Sequence, residues 1–193
     1  MLTSITPLGE RGRHRSWNRT IVAYFIGSIA GGAIVGAAAG GLGVLLPSSA
    51  RPGGLAYITA VVLLMVALDE LGMIRITPIG KRQVSEDWLD EYRGWVVGAG
   101  FGFQLGLGFT TIVTTLALPA TFLLAILTFS WKWGTVIGIT FGVARALPIL
   151  TTWRVDTPER LAALHKRHDR SERWVRIVGA VVAGPLAIAA VAL

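Results

Sequence analysis

The chain has no cysteine, and this absence excludes several kinds of chemistry at once. Without thiols it forms no disulfide, holds no metal through thiolates and passes no electrons through a dithiol. Charged residues are scarce as well, at 15% of 193 residues, whereas soluble domains carry about 25%. The three histidines, His14, His165 and His168, are too few and too scattered for a strong metal site. We therefore predict no metal and no cofactor, and the sequence argues against an enzyme without deciding the question.

Apolar segments dominate what is present, with 53% hydrophobic residues and the charges placed between long apolar runs. A helix needs about 17–25 such residues to cross a bilayer, so the runs predict transmembrane spans. The first run follows several arginines, as in a signal peptide, but it is too long for one and is predicted to remain as a helix. We predict an all-α, polytopic transmembrane helix bundle of about five spans. The predicted spans are Ile21–Leu46, Leu55–Ile76, Gly94–Leu118, Gly134–Leu150 and Val175–Leu193.

One segment leaves the number of spans open. Residues 120–129 are apolar apart from Thr121 and Thr128, and they follow Pro119, which kinks or breaks a helix. Either the segment extends the third span past a kink, or it turns back as a re-entrant element. Six spans is the alternative count.

The distribution of basic residues orients the predicted bundle. All 18 lysines and arginines except Arg51 and Lys132 fall on one side of the five-span arrangement. Cytoplasmic loops carry such an excess, so we predict a multi-pass inner-membrane protein with a cytoplasmic N-terminus. The predicted organisation is a basic cytoplasmic tail, 1–19, and one transmembrane domain, 20–193, with cytoplasmic segments at about 77–93 and 151–174.

The second cytoplasmic segment contains a helix start. Thr157 suits the N-cap position, Pro158 the first helical position, and Glu159 a place in the first turn, where the helix dipole favours an acid. The residues that follow are basic on one side and apolar on the other. We predict a short amphipathic helix on the membrane surface.

Glycine recurs every fourth residue in three of the apolar runs. Four residues is about one helical turn, so each series forms a smooth groove along one helix face. Such grooves let membrane helices pack with their backbones close together. The glycines are Gly94, Gly98, Gly102 and Gly106 in the third span, Gly134, Gly138 and Gly142 in the fourth, and Gly27, Gly31, Gly32, Gly36 and Gly40 in the first. The predicted partners are the lipid bilayer and either a second copy or another membrane protein.

Asp69 and Glu70 are the only acids within a predicted span. A carboxylate inside a membrane is costly, so the pair is a candidate for a proton or cation pathway. In the alternative interpretation the acids lie at the interface, or pair with Arg75 or Arg145 as a structural ion pair. The sequence leaves both interpretations open.

The third predicted span has the most polar interior. Gln104 precedes Thr111 and Thr115, which lie one turn apart on the same helix face, and Pro119 follows. A broken helix with such side chains is typical of a solute pathway. Alternatively, the threonine hydroxyls bond to their own preceding turn, and Gln104 bonds to a neighbouring helix.

The same span resembles a known family. The run Gly102–Thr110 with Pro119 after it is similar to the small-residue-rich helices of the CcdA/DsbD transmembrane family, which is grouped with lysine-exporter-type small transporters. The resemblance implies a small helix bundle and a transport role. That family moves electrons through paired cysteines beside proline, and this chain has none, so no functional residue carries over.

Together these features predict a small bacterial inner-membrane transporter or permease for an ion or small solute. Its pathway would use Asp69, Glu70, Gln104, Thr111 and Thr115. The alternative is a non-catalytic membrane subunit or scaffold that assembles with another membrane protein. The net charge of +7 does not indicate nucleic-acid binding, because the basic residues flank apolar spans.

Overall fold

The computed structural model describes residues 5–46, 54–73, 92–108, 116–157 and 159–160. Within these residues the chain is helical and contains no strand, which confirms the all-α class. The elements are α1 (Pro7–Gly12), α2 (Trp17–Val44), α3 (Gly54–Glu70), α4 (Gly94–Leu107), α5 (Ala117–Leu127), α6 (Trp131–Ala146) and a closing 3₁₀ helix, η1 (Leu147–Arg154).

Two stretches of the described chain are long and apolar enough to cross a membrane, namely α2 and the continuous run Trp131–Arg154. Helices α4 and α5 are apolar but shorter. Five spans are therefore not confirmed. The predicted fifth span, Val175–Leu193, lies outside the described residues, as do Arg75, Thr111 and Thr115.

The prediction of one continuous third span, Gly94–Leu118, is wrong. Helix α4 ends at Leu107, because Gly108 adopts a positive φ of 77°, which a right-handed helix does not accommodate. A new helix, α5, begins at Ala117. Pro119 lies in the first turn of α5, where a missing N–H costs little, so it helps to begin this helix instead of ending the previous one. Most of the ambiguous segment 120–129 thus belongs to a separate helix.

Helix α2 is the centre of the fold and packs against α6 along most of its length. The two helices are antiparallel, with glycine facing glycine. A Cβ atom on Gly32 would collide with the carbonyl of Gly138, and one on Gly138 would collide with the carbonyl of Gly32. Gly36 and Gly134 oppose each other in the same reciprocal way. Only glycine permits this approach, because any side chain would occupy the space of the facing backbone.

Helix α4 lies along the N-terminal half of α2 and runs parallel to it. Three of its glycines face successive carbonyls of α2, since added Cβ atoms on Gly98, Gly102 and Gly106 would meet the oxygens of Thr20, Tyr24 and Ser28 respectively. Ser28 is fully buried, and its hydroxyl donates to the carbonyl of Gly142 on α6 at 2.8 Å. The glycine positions of the third and fourth predicted spans thus face α2 of the same chain.

The basic N-terminal segment folds against one end of this bundle. The backbone N–H of Leu8 donates to the carbonyl of Val155 at 3.1 Å, and the Thr152 hydroxyl donates to the carbonyl of Ile5 at 3.4 Å. Ile5 joins a core with α2, α4 and α6 whose buried members are Ile5, Ile21, Tyr24, Val97, Phe101, Ala146 and Ile149. The first residues of α2 and α4, the end of η1 and the N-terminal segment therefore share one end of the molecule.

Candidate functional site

The clearest polar feature among the predicted site residues is the contact between the end of α3 and the start of α5. The Asp69 side chain is only 2% exposed, and its Oδ2 accepts a hydrogen bond from the backbone N–H of Leu116 at 2.8 Å. Leu116 is the N-cap residue of α5. Asp69 thus binds a helix N-terminus of its own chain.

The local sequence brings Asp69 to this position by ending α3 just after it. Gly72 has a positive φ of 75°; its N–H donates to the carbonyl of Asp69, and the N–H of Met73 donates to that of Leu68, each at 2.9 Å. This is the glycine-terminated helix end called the Schellman motif. Around the contact, Val66 and Ala67 of α3 pack on Ala120 of α5, so the carboxylate lies beside an apolar cluster.

The electrostatics of this contact favour a structural role for Asp69. The N-terminus of a helix carries partial positive charge and unpaired N–H groups, so a carboxylate is stabilised there. The chain fills this anion-binding position of α5 with its own side chain. The N-terminus of α5 is a partner of Asp69 that neither interpretation of this residue had named.

The other predicted polar residues are distributed over different elements. Glu70 is the last residue of α3 and is half-buried, and Gln104 is half-buried on α4. Arg145 lies near the end of α6 with its guanidinium 5.4 Å from the centre of the Phe141 ring, a cation–π contact. Arg75, Thr111 and Thr115 lie outside the described residues.

A second buried carboxylate, Glu10, was missed by the sequence analysis. It is 1% exposed, and its Oε2 accepts a hydrogen bond from the Thr20 hydroxyl at 2.7 Å. A Cβ atom on Gly94 would lie 2.8 Å from the same oxygen, which places the carboxylate against the first residue of α4. Glu10 therefore lies between the first turn of α2 and the first turn of α4, whose dipoles both favour an anion.

A signal for this site was present in the sequence. Thr6 is the N-cap of α1, its hydroxyl accepting from the N–H of Gly9 at 3.1 Å, and Pro7 opens the helix. The same Thr-Pro pattern predicts a helix start at Thr157, where the hydroxyl accepts from the N–H of Arg160 at 3.4 Å. The same helix-start rule, applied to Thr6 and Pro7, would have predicted α1 within the N-terminal tail. It would then have placed Glu10, the only acid of α1, near the membrane boundary.

The segment after η1 carries an exposed charge cluster. Arg160 pairs with Asp156 at 2.7 Å, with both side chains largely exposed, and its N–H bonds to the Thr157 hydroxyl. The pKa of Glu159 is lowered, first by a hydrogen bond from its own backbone N–H and then by one from Thr157. Glu159 and Arg160 are helical, and the rest of the predicted amphipathic helix lies outside the described residues.

Comparison with known proteins places the chain near one named protein of two bacteria. Over 151 residues, or 77% of the chain, it is 26% identical to the methylamine utilization protein MauF of Methylophilus methylotrophus. Over 174 residues, or 88% of the chain, it is 26% identical to MauF of Paracoccus denitrificans. These matches cover 53% and 63% of the relatives, so the chain spans little more than half of their length. No family model matches the chain, and no solved structure matches it.

These relatives correct the predicted function. The sequence analysis predicted a transporter or permease for an ion or small solute, whereas both relatives are named for methylamine utilization and neither name describes transport. The error arose because a broken, threonine-bearing helix beside buried acids was interpreted as a pathway. In the structure, Asp69 accepts a hydrogen bond at the N-terminus of α5.

Proposed function

We propose that this chain is a helical membrane protein that takes part in the utilization of methylamine. The observation that carries the proposal is the similarity to MauF of two bacteria, which extends over 77% and 88% of the chain. The similarity runs through the helical bundle and is not confined to one apolar segment. That breadth favours a shared role over a shared composition.

The surface of the bundle supports a location in the membrane. Large apolar side chains are exposed along the outer faces of the helices, including Val22 and Ile26 on α2, Leu64 on α3 and Val136 on α6. In water such exposed apolar faces would be of the kind that marks a membrane or protein interface. In a bilayer they would contact acyl chains at no cost. We further propose several passes and a cytoplasmic N-terminus, from the excess of basic residues on one side.

The buried polar groups support a part in which this chain holds a fixed shape. Glu10 and Asp69 each meet the start of a helix of the same chain, and Ser28 joins α2 to α6. Interlocked glycines leave little room for helices to slide past one another. Such a bundle suits a protein that supports methylamine metabolism without carrying the amine.

The test is deletion of the encoding gene in the bacterium that carries it. The deletion strain is expected to lose growth with methylamine as the sole nitrogen source and to keep growth with ammonium. A plasmid copy of the wild type or of Gly41→Ala should restore growth, because a Cβ at Gly41 would meet no atom within 4 Å beyond the nearby backbone of its own helix. A copy with Gly36→Leu should not, because its side chain would enter the backbone of α6.

Two outcomes would oppose the proposal. Undiminished growth of the deletion strain on methylamine would remove the metabolic role. The second outcome is a deletion strain that does not accumulate labelled methylamine although its extracts still oxidise the amine. That result would indicate a role in transport. We expect uptake to be unchanged and the metabolism of the amine to be impaired.

A further inference from the structure

The N-terminal ends of α2 and α4 border a groove on the outer surface of the bundle. We name it the Trp95 groove; its volume is about 430 Å³, and it is lined by Asn18, Arg19, Val22, Ala23, Ile26 and Trp95. The two helices are parallel, so their first turns lie at the same end of the groove. The groove thus starts at the basic end of the bundle and follows α2 towards its middle.

The polarity of the Trp95 groove changes along its length. Arg19 lies in the first turn of α2, and Val22 and Ile26 follow at the spacing of one helix face. Val22 and Ile26 are 59% and 62% exposed, so a ligand reaches them from outside the bundle. From Arg19 to Ile26 the helix rises about 10 Å. One end is therefore cationic and the rest apolar, as in the binding site of an amphiphile.

Arg19 provides the positive charge at the head of the groove. In the parts of the chain that the structure describes, no carboxylate pairs with Arg19, and the acid closest in sequence, Glu10, is buried and bonded to Thr20. Arg93, the N-cap of α4, adds another cation two residues before Trp95. Trp95 is 54% exposed, and indole rings favour the headgroup level of a bilayer.

We propose that the Trp95 groove binds an anionic phospholipid. The phosphate and headgroup lie at Arg19, beside the Trp95 indole, and an acyl chain follows Val22 and Ile26. A zwitterionic lipid fits the apolar part equally well but gains less at Arg19, since its own cation opposes the guanidinium. The inference rests on the membrane location in the proposed function and adds a specific lipid and its site.

The test uses the fluorescence of Trp95 in vesicles with brominated acyl chains, which quench nearby indoles. The protein is reconstituted in phosphatidylcholine vesicles that contain an increasing fraction of brominated phosphatidylglycerol. A second series, with an increasing fraction of brominated phosphatidylcholine, is the reference. Because the chain has seven tryptophans, the Trp95 signal is taken as the difference between the wild type and Trp95→Phe. The Trp95 signal should be half-quenched at a fraction of brominated phosphatidylglycerol about fivefold lower than that of brominated phosphatidylcholine. A fivefold difference in affinity corresponds to the attraction of one basic residue to an anionic lipid surface.

Two arginine variants separate a site from a general surface charge. Arg19→Gln should abolish the preference for phosphatidylglycerol. Arg11→Gln removes the same charge from the exposed N-terminal segment but does not line the groove, so it should keep the preference. Equal quenching by both lipids in the wild type, or an equal loss in both variants, overturns the inference. Failure to insert into phosphatidylcholine overturns the membrane location as well, whereas insertion without lipid preference overturns this inference alone.

Discussion

At the scale of single residues, two buried acids show how this chain uses charge. Glu10 and Asp69 are 1% and 2% exposed, and each meets a group in the first turn or N-cap of another helix. An isolated buried carboxylate is costly, but one that accepts hydrogen bonds at a helix N-terminus is stabilised by both the bond and the dipole. The acids therefore connect elements that are far apart in sequence.

For Asp69 we predict a loss of stability when its acceptor is removed. Asp69→Ala leaves the N–H of Leu116 without this partner and is expected to cost about 2 kcal/mol, the range for a buried bond to a charged group. Asp69→Asn keeps an acceptor oxygen and should cost less. Thermal unfolding of the detergent-purified protein, followed by circular dichroism, measures both. Equal midpoints for the wild type and Asp69→Ala would contradict the capping role.

For Glu10 we predict that its hydrogen bond with Thr20 helps to hold the N-terminal segment on the bundle. Glu10→Ala removes the nearer of the two acceptors of the Thr20 hydroxyl and leaves it the Ser16 carbonyl at 3.3 Å. The change should loosen α1, which limited proteolysis would detect as faster cleavage before Trp17. Glu10→Gln retains an acceptor at the same position and is expected to be cleaved more slowly than Glu10→Ala. Cleavage of Glu10→Ala at the wild-type rate would show that the contacts of Ile5 and Leu8 hold the segment without Glu10.

At the scale of elements, the start of α4 was predicted and its end was not. Gly94 begins α4 as predicted, because the charged segment before it marks the boundary. The end at Leu107 was missed, because Gly108 continues the apolar pattern and only its positive φ reveals the break. Hydropathy indicates which residues avoid water, but it does not indicate the backbone conformation that ends a helix. Residues such as Asp69 are equally hard to assign, since their partner is a backbone N–H that carries no sequence signature.

The packing of α2 on α6 gives a prediction with a matched control on the same helix. Gly36→Ala places a methyl group against Gly134 and Gly138 and is expected to destabilise the protein by about 1–3 kcal/mol, as overpacking does. Gly41→Ala meets no atom within 4 Å beyond the nearby backbone of its own helix and should be neutral or stabilising by up to about 1 kcal/mol, since alanine favours a helix. Equal unfolding midpoints for the two variants would show that these helices do not pack through Gly36.

At the scale of the whole molecule, the N-terminal segment and η1 share one end of the bundle, through Leu8 and Val155. The turn before α6 lies at the other end, where a Cβ on Gly40 would meet the carbonyl of Ser130. From Trp17 to Gly40 an α-helix rises about 34 Å. The hydrocarbon core of a bilayer is about 30 Å thick, so the two ends can reach opposite surfaces of a membrane.

The absence of cysteine makes this arrangement directly testable, because each introduced thiol is the only one in the chain. Arg11→Cys and Trp153→Cys replace exposed residues at one end, and Lys132→Cys replaces an exposed residue at the other. With a membrane-impermeant maleimide on spheroplasts, Lys132→Cys should be labelled, and the other two only after permeabilisation. Labelling of all three in intact spheroplasts would mean that α2 and α6 do not cross the membrane. Labelling of Arg11→Cys and Trp153→Cys alone would keep the crossing and reverse the orientation, since the basic end would then face outward.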